Sequence, residues 1–186
     1  TNTCIGAQSC TGKPKPLCFG RVWNIAPPLV DSANLIYQVH GGPIQDVPAV
    51  YDRGVALVKV GGAPAAGQYQ VDAANGTFKL GATPDGTLTC DVQGDASLSG
   101  FIDRTGDIAL RILAQQAVLT SNEIEPGSFG ALNTDAPAPV GIWIGTQTRD
   151  IASVMDELLS GVGAFGGFSR HGLFTVGLVA APEGQP

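Results

Sequence analysis

The sequence predicts an α+β protein: a β-rich, barrel- or sandwich-like unit over residues 17–98, then a small α+β unit over residues 99–186 with two helices and a C-terminal hairpin. Three observations carry this prediction. Short β-prone runs separated by Gly, Pro and Asn turn signals fill the first half. After Gly100 the apolar period changes from two to about 3.6 residues. The Gly-rich stretch beyond Gly161 leads into two further β-prone runs around Arg170-His171-Gly172.

Residues 1–16 read as an extended arm, because Lys13-Pro14-Lys15-Pro16 disfavours helix and favours extended backbone. Strand addition to a neighbouring chain is a natural use of such an arm. Phe19, Arg21 and Trp23 alternate with Val22 and Asn24, as in a strand. Leu35, Ile36, Tyr37 and Val39 form a β-prone run closed by Gly41-Gly42-Pro43, and Val55 to Val60 forms another after Asp52-Arg53-Gly54. The clearest hairpin is Gln68–Val71 and Thr77–Leu80 about Asn75-Gly76, a pair suited to two successive positive-φ residues. Pro84-Asp85-Gly86 turns the chain into Thr87–Val92, where Leu88, Cys90 and Val92 share a face.

In the second half, Thr105 is placed to cap a helix starting at Gly106 or Asp107, with Leu110, Leu113, Ala114, Ala117 and Val118 as its apolar stripe. Glu125-Pro126-Gly127 breaks the chain, Ser128 to Leu132 fits one helical turn, and Val140 to Ile144 reads as a strand. Thr148 is the expected cap of the second helix, whose stripe is Ile151, Val154, Met155, Leu158, Leu159 and Val162. Gly161 and Gly163 supply its stop, and a hairpin runs from Phe165 to Val179.

Composition excludes several classes. Apolar residues at 44% suffice for a core, while charged residues at 14% fall below the usual quarter or so, which fits a surface partly covered by partners. The 26 Gly and 13 Pro show no three-residue period, so the chain is not collagen. A net charge of -6, with Lys and Arg scattered, argues against nucleic-acid recognition. No apolar run approaches the roughly 20 residues of a membrane span, and TNTCIGAQSC lacks the layout of a signal peptide. The chain begins at Thr1, as a processed or excised part of a longer protein would.

Chemical motifs are sparse. There is no Gly-x-Ser-x-Gly elbow and no P-loop. The run Gly161–Gly167 follows a helix instead of opening one, so it suits a helix stop and strand entry and not a phosphate cradle. His40 and His171 stand alone at loop positions. Asp156 and Glu157 fall on the polar side of the second helix. Asp91, Asp95, Asp103 and Asp107 are a loose acidic group without the spacing of a calcium loop. Asn75-Gly76-Thr77 spells a glycosylation sequon, but a hairpin turn explains the same residues. Cys4, Cys10, Cys18 and Cys90 lack zinc spacing and read as free thiols of a reducing cytoplasm, with one disulfide among the first three as the alternative. No catalytic, cofactor or metal residue is assigned, and no enzymatic activity is expected.

Several segments resemble a family of long-tailed (siphovirus-like) bacteriophage and prophage tail-tip or baseplate hub proteins. They are Gly12–Asn24 with Pro28-Leu-Val and Tyr37-Gln-Val-His40; Tyr51-Asp-Arg-Gly-Val55; Gly76–Leu80 with Gly86–Asp95; and Pro139–Trp143, Val154–Leu159, Gly167–Gly172 and Phe174–Gly177. The combination covers nearly the whole chain. The resemblance implies a hub that closes the distal end of the tail tube and carries fibres or receptor-binding proteins. It further implies a homo-oligomer, a threefold ring fitting such a part, with other tail and baseplate proteins as partners. Its location would be the virion, after synthesis in the host cytoplasm. Family members often carry an aromatic pair where this chain has Ala164-Phe165, and a residue other than Cys at position 18; both departures concern packing. The resemblance brings no catalytic residue with it. Two rival readings remain. A receptor- or carbohydrate-binding module would need an exposed aromatic platform, yet Trp23, Trp143 and Tyr37 all lie in apolar strand patterns and are expected in the core. A tail-associated cell-wall hydrolase would need a nucleophile or acid motif.

Overall fold

The computed structural model describes residues 12–98, 100–116 and 119–179. The arm expected over residues 1–16 lies outside them up to residue 11, as do Cys4 and Cys10. The fold is α+β, β-rich, and ends in a hairpin. The chain divides into two compact units, one of residues 1–102 with 141–148, the other of residues 103–140 with 149–186.

The first unit holds two five-stranded sheets. One is built from β1 (Leu17–Ile25), β4 (Ile44–Asp52), β5 (Val55–Ala56), β9 (Leu88–Asp95) and β10 (Gly141–Ile144), in the order β10-β1-β9-β4-β5. The other comprises β2 (Leu29–Asp31), β3 (Ile36–Gln38), β6 (Val58–Lys59), β7 (Gln68–Asp72) and β8 (Thr77–Leu80), in the order β2-β3-β8-β7-β6. Both contribute to one core, with Val22, Val50, Cys90 and Val92 from the first sheet and Tyr37, Tyr69, Phe78 and Leu80 from the second. The expected run Val55 to Val60 becomes two short strands, because the chain crosses from one sheet to the other at Leu57. The strand at 141–144, expected in the C-terminal unit, belongs here instead. It pairs antiparallel with β1 from Leu17↔Ile144 to Gly20↔Gly141 and covers an edge that would otherwise be open.

β1 does not alternate as its sequence suggests. Gly20 has φ +69°; Cys18 and Val22 share the inward face in the main core, while Phe19, on the alternate position, is buried as well. A bulge then sets Trp23 and Asn24 between the pairs Val22↔Val92 and Ile25↔Cys90. Trp23, expected in the core, therefore faces outward at 64% exposure.

The turns also redistribute the positive-φ residues. Arg53 (φ +51°) and Gly54 (φ +80°) form the two-residue turn between β4 and β5, with Asp52 paired to Val55. The Asn75-Gly76 hairpin instead has four loop residues, since Asp72 pairs with Thr77 and only Gly76 (φ +64°) is left-handed. Asp72 accepts from the Asn75 side-chain amide at 2.7 Å and so organises the loop. Gly76 is also required by proximity: a Cβ there would lie 2.4 Å from the Gly42 carbonyl oxygen and 2.5 Å from that of His40.

The second unit contains α1 (Thr105–Gln116), α2 (Pro126–Asp135), α3 (Ile151–Ser160) and the hairpin of β11 (Ala164–Phe168) and β12 (Phe174–Leu178). Where two helices and one further turn are expected, three α-helices form among the described residues. α2 extends the turn at Ser128 to ten residues because Pro126 is well placed in its first turn. α1 begins at Thr105, and its first free N–H is capped from α2, by Asn133 Oδ1 accepting from Gly106 N–H at 2.8 Å. α1 buries Ile108, Ala109, Ile112 and Leu113, while Ala114 is exposed and Leu110 only half-buried. Both stripes are apolar in sequence; the close approach of α2 at Gly106, where a Cβ would meet Phe129 O at 2.2 Å, selects the one that is used. The side chains of Ala117 and Val118 lie outside the described residues. Asp150, not Thr148, caps α3: its carboxylate accepts Ser153 N–H at 2.8 Å, two residues nearer the stripe Val154, Met155, Leu158, Leu159. Gly161 ends the helix and the hairpin turns at Gly172 as expected. Val162 lies past the helix end and is half-buried.

Candidate functional site

Two places in the first unit gather polar chemistry. One is buried, at the end of β9. The main-chain N–H of Cys18 donates to His40 Nδ1 at 2.9 Å, and His40 Nε2 faces Asp95 Oδ1 at 3.4 Å. A ring nitrogen that accepts an N–H carries no proton, so the Nε2–H tautomer points at the carboxylate. Phe19 meets the imidazole edge-on, with centroids 5.7 Å apart. The main-chain N–H groups of Val39 and His40 both donate to Gly76 O. His40 thus takes the Cys18 N–H and ties β1, β9 and the β7–β8 turn together.

Cys18, His40 and Asp95 are the residue types of a nucleophile, a base and an orienting acid, but the arrangement is not a nucleophilic site. The imidazole bonds the Cys18 backbone and not its sulfur. Burial, reinforced by the Asp95 charge, pushes the Cys18 thiol far above its ordinary pKa, the reverse of what a reactive thiolate needs. Cys90 is likewise raised by burial first and by Cys18 second. Both are free and buried.

The other place is the outward face of the sheet at the β1 bulge. Asp91 accepts Asn24 N–H at 2.9 Å and the Tyr51 hydroxyl at 3.0 Å. The hydrogen bond to Asp91 and then its charge raise the Tyr51 pKa. Trp23 stands exposed beside this pair in the bulge, and Arg21, facing Gln93 on β9, carries its guanidinium over the Phe101 ring at 5.6 Å. The sequence holds no signal for this bulge; alternation leaves open which of Val22 and Trp23 faces inward, and the structure places Val22 there.

The remaining sequence candidates are dispersed. His40 is in the fold's interior, and His171 lies on the exposed turn of the β11–β12 hairpin, its main-chain N–H near Ser169 Oγ. Asp156 and Glu157 are exposed on α3, and Glu157 pairs with Arg149 at 2.6 Å. Asp91 faces outward, Asp95 is buried beside His40, and Asp107 in the second unit accepts from the Asn133 amide at 2.9 Å. Among the described residues no three His, Cys, Asp or Glu side chains come together as a metal site. Tyr37 is buried, stacked on Phe78 with centroids 5.5 Å apart, and Trp143 packs against the core. Among the described residues no helix is long and apolar enough to cross a membrane. Comparison with protein families, curated proteins and solved structures finds no match.

Proposed function

We propose that this chain is a structural component of a bacteriophage tail, part of the tail-tip or baseplate hub at the distal end of the tail tube, where it scaffolds fibres or receptor-binding proteins. The observation that carries this reading is that the segments resembling hub proteins are the same segments that hold the fold together. Asp52, in the second segment, accepts the N–H of Gly86 at 3.0 Å, where the second stretch of the third begins, and that of the adjacent Asp85 at 2.7 Å. His40 and Cys18, in the first, meet Asp95 at the end of the third. The strand at 141–144, in the fourth, pairs with the first. Val154–Leu159 and the hairpin supply the buried residues Leu159 and Val176 of the second unit. A resemblance spread over interlocking residues is what shared architecture would produce. The proposed partners are further copies of this chain and neighbouring tail proteins.

Mass spectrometry of tails purified from particles of the strain that encodes this chain tests the proposal. Its peptides are expected at a few copies per tail, together with those of tube and fibre proteins. Their absence from tails that contain those other proteins would reject the role.

A further inference from the structure

We infer that the outward face of the first sheet around Trp23 is a carbohydrate-binding surface, an inference that stands whether or not the chain is a tail part. The bulge makes the surface. Trp23 follows the inward Val22 and stands outward at 64% exposure, and the bulge keeps Asn24 beside it before Ile25 returns to the core. In the same bulge, Asn24 adopts φ +55°, costly for a residue other than Gly, and this aims its N–H at Asp91. The Tyr51 hydroxyl holds the second oxygen of that carboxylate from the other side. Asp91 is therefore fixed in place before any ligand arrives, while each carboxylate oxygen keeps a further lone pair for another donor. Cross-strand neighbours lie about 5 Å apart, so the indole and the carboxylate are within reach of one pyranose ring.

The chemistry of the ligand follows from this mixture. A large exposed indole requires an apolar, flat partner. Its neighbours on the face are a carboxylate, the Gln93 amide and the Arg21 guanidinium, held by the Phe101 ring. A protein hot spot would set the indole among apolar residues that exclude water; the neighbours that the register gives Trp23 on this face, Arg21, Asp91 and Gln93, are planar and polar. A sugar ring matches both demands, since its axial C–H groups form an apolar face and its hydroxyls, at the rim, donate and accept.

The test is binding of the intact protein to an array of neutral and amino-sugar oligosaccharides, followed by titration of the best binder with tryptophan emission as readout. Saturable binding with a blue shift is expected. Trp23→Ala should abolish the shift and weaken binding by roughly tenfold or more. Asp91→Asn should weaken binding while leaving the thermal midpoint near that of the parent. Trp23 is exposed, so its replacement should leave folding intact, which circular dichroism checks. No binding to any glycan on the array would overturn the inference, as would binding that Trp23→Ala leaves unchanged. Dissociation of an oligomer by Trp23→Ala, without any glycan binding, would overturn it too and assign the face to protein contact.

Discussion

At His40 one ring serves two buried groups, and its removal takes an interaction from each. In His40→Ala the Cys18 N–H loses its acceptor and the Asp95 carboxylate loses its facing N–H, and both groups are buried. A destabilisation of about 3 kcal/mol is expected in urea titration. A cost below about 1 kcal/mol would mean that the contact is incidental. Tyr69 makes a comparable case, since its hydroxyl donates to the carbonyls of Val47 at 3.1 Å and Pro48 at 3.0 Å. Tyr69→Phe should cost about 1–2 kcal/mol. Burial, with Asp46 second, pushes the Tyr69 pKa from 10.0 up to about 12. A phenol harder to ionise in the folded chain than in the unfolded one adds stability below its ordinary value and loses it as pH rises toward the folded value. The parent should accordingly weaken through that alkaline window, and Tyr69→Phe should weaken less steeply there.

The helices and turns show how far local sequence decides an element. Their existence was legible: each run with a clear period became a strand or helix, and the last hairpin turns at Gly172 as its sequence indicates. Their ends were less so, because caps are chosen in three dimensions. Thr105 has the right chemistry to cap α1, yet its buried hydroxyl makes no hydrogen bond among the described residues, and Asn133, far along the chain, takes the N–H of Gly106. Asn133→Ala should therefore lower stability by about 1 kcal/mol, as loss of an N-cap does, whereas Thr148→Ala should be neutral. The Asp150 carboxylate on α3 is held below the usual carboxylate range, first by the Ser153 N–H, and Glu123 is lowered by Thr120 in the same manner. Groups lowered on folding add stability above their unfolded pKa and lose it as pH falls through the folded value. Acid should thus loosen the helical unit, and Asp150→Asn should flatten that dependence in a thermal melt series. The least legible feature was β1. Its sequence alternates cleanly, but Val22, not Trp23, takes the inward face, and the bulge before Ile25 leaves Trp23 and Asn24 at the surface. The candidate binding face was hidden with it.

At the scale of the molecule, the first unit is not continuous in sequence. β10 returns from beyond α2 to pair with Leu17–Gly20, so a fragment ending at residue 102 lacks one strand of its sheet. Such a fragment should be less stable than one carrying residues 141–148 on a linker, and it should aggregate through the uncovered edge. Size-exclusion chromatography of the two fragments compares them directly; equal behaviour would mean that β10 is dispensable. The discontinuity also bears on the proposed role, because a sheet completed by a returning strand joins residues 17–20 and 141–144, on either side of α1 and α2, in one unit. The most direct test of the tail assignment is cryo-electron microscopy of intact particles from the strain that encodes this chain. The account predicts density for both units at the distal end of the tail tube, in a closed ring about its axis. Particles whose tails are complete but hold this chain nowhere at that end would contradict it.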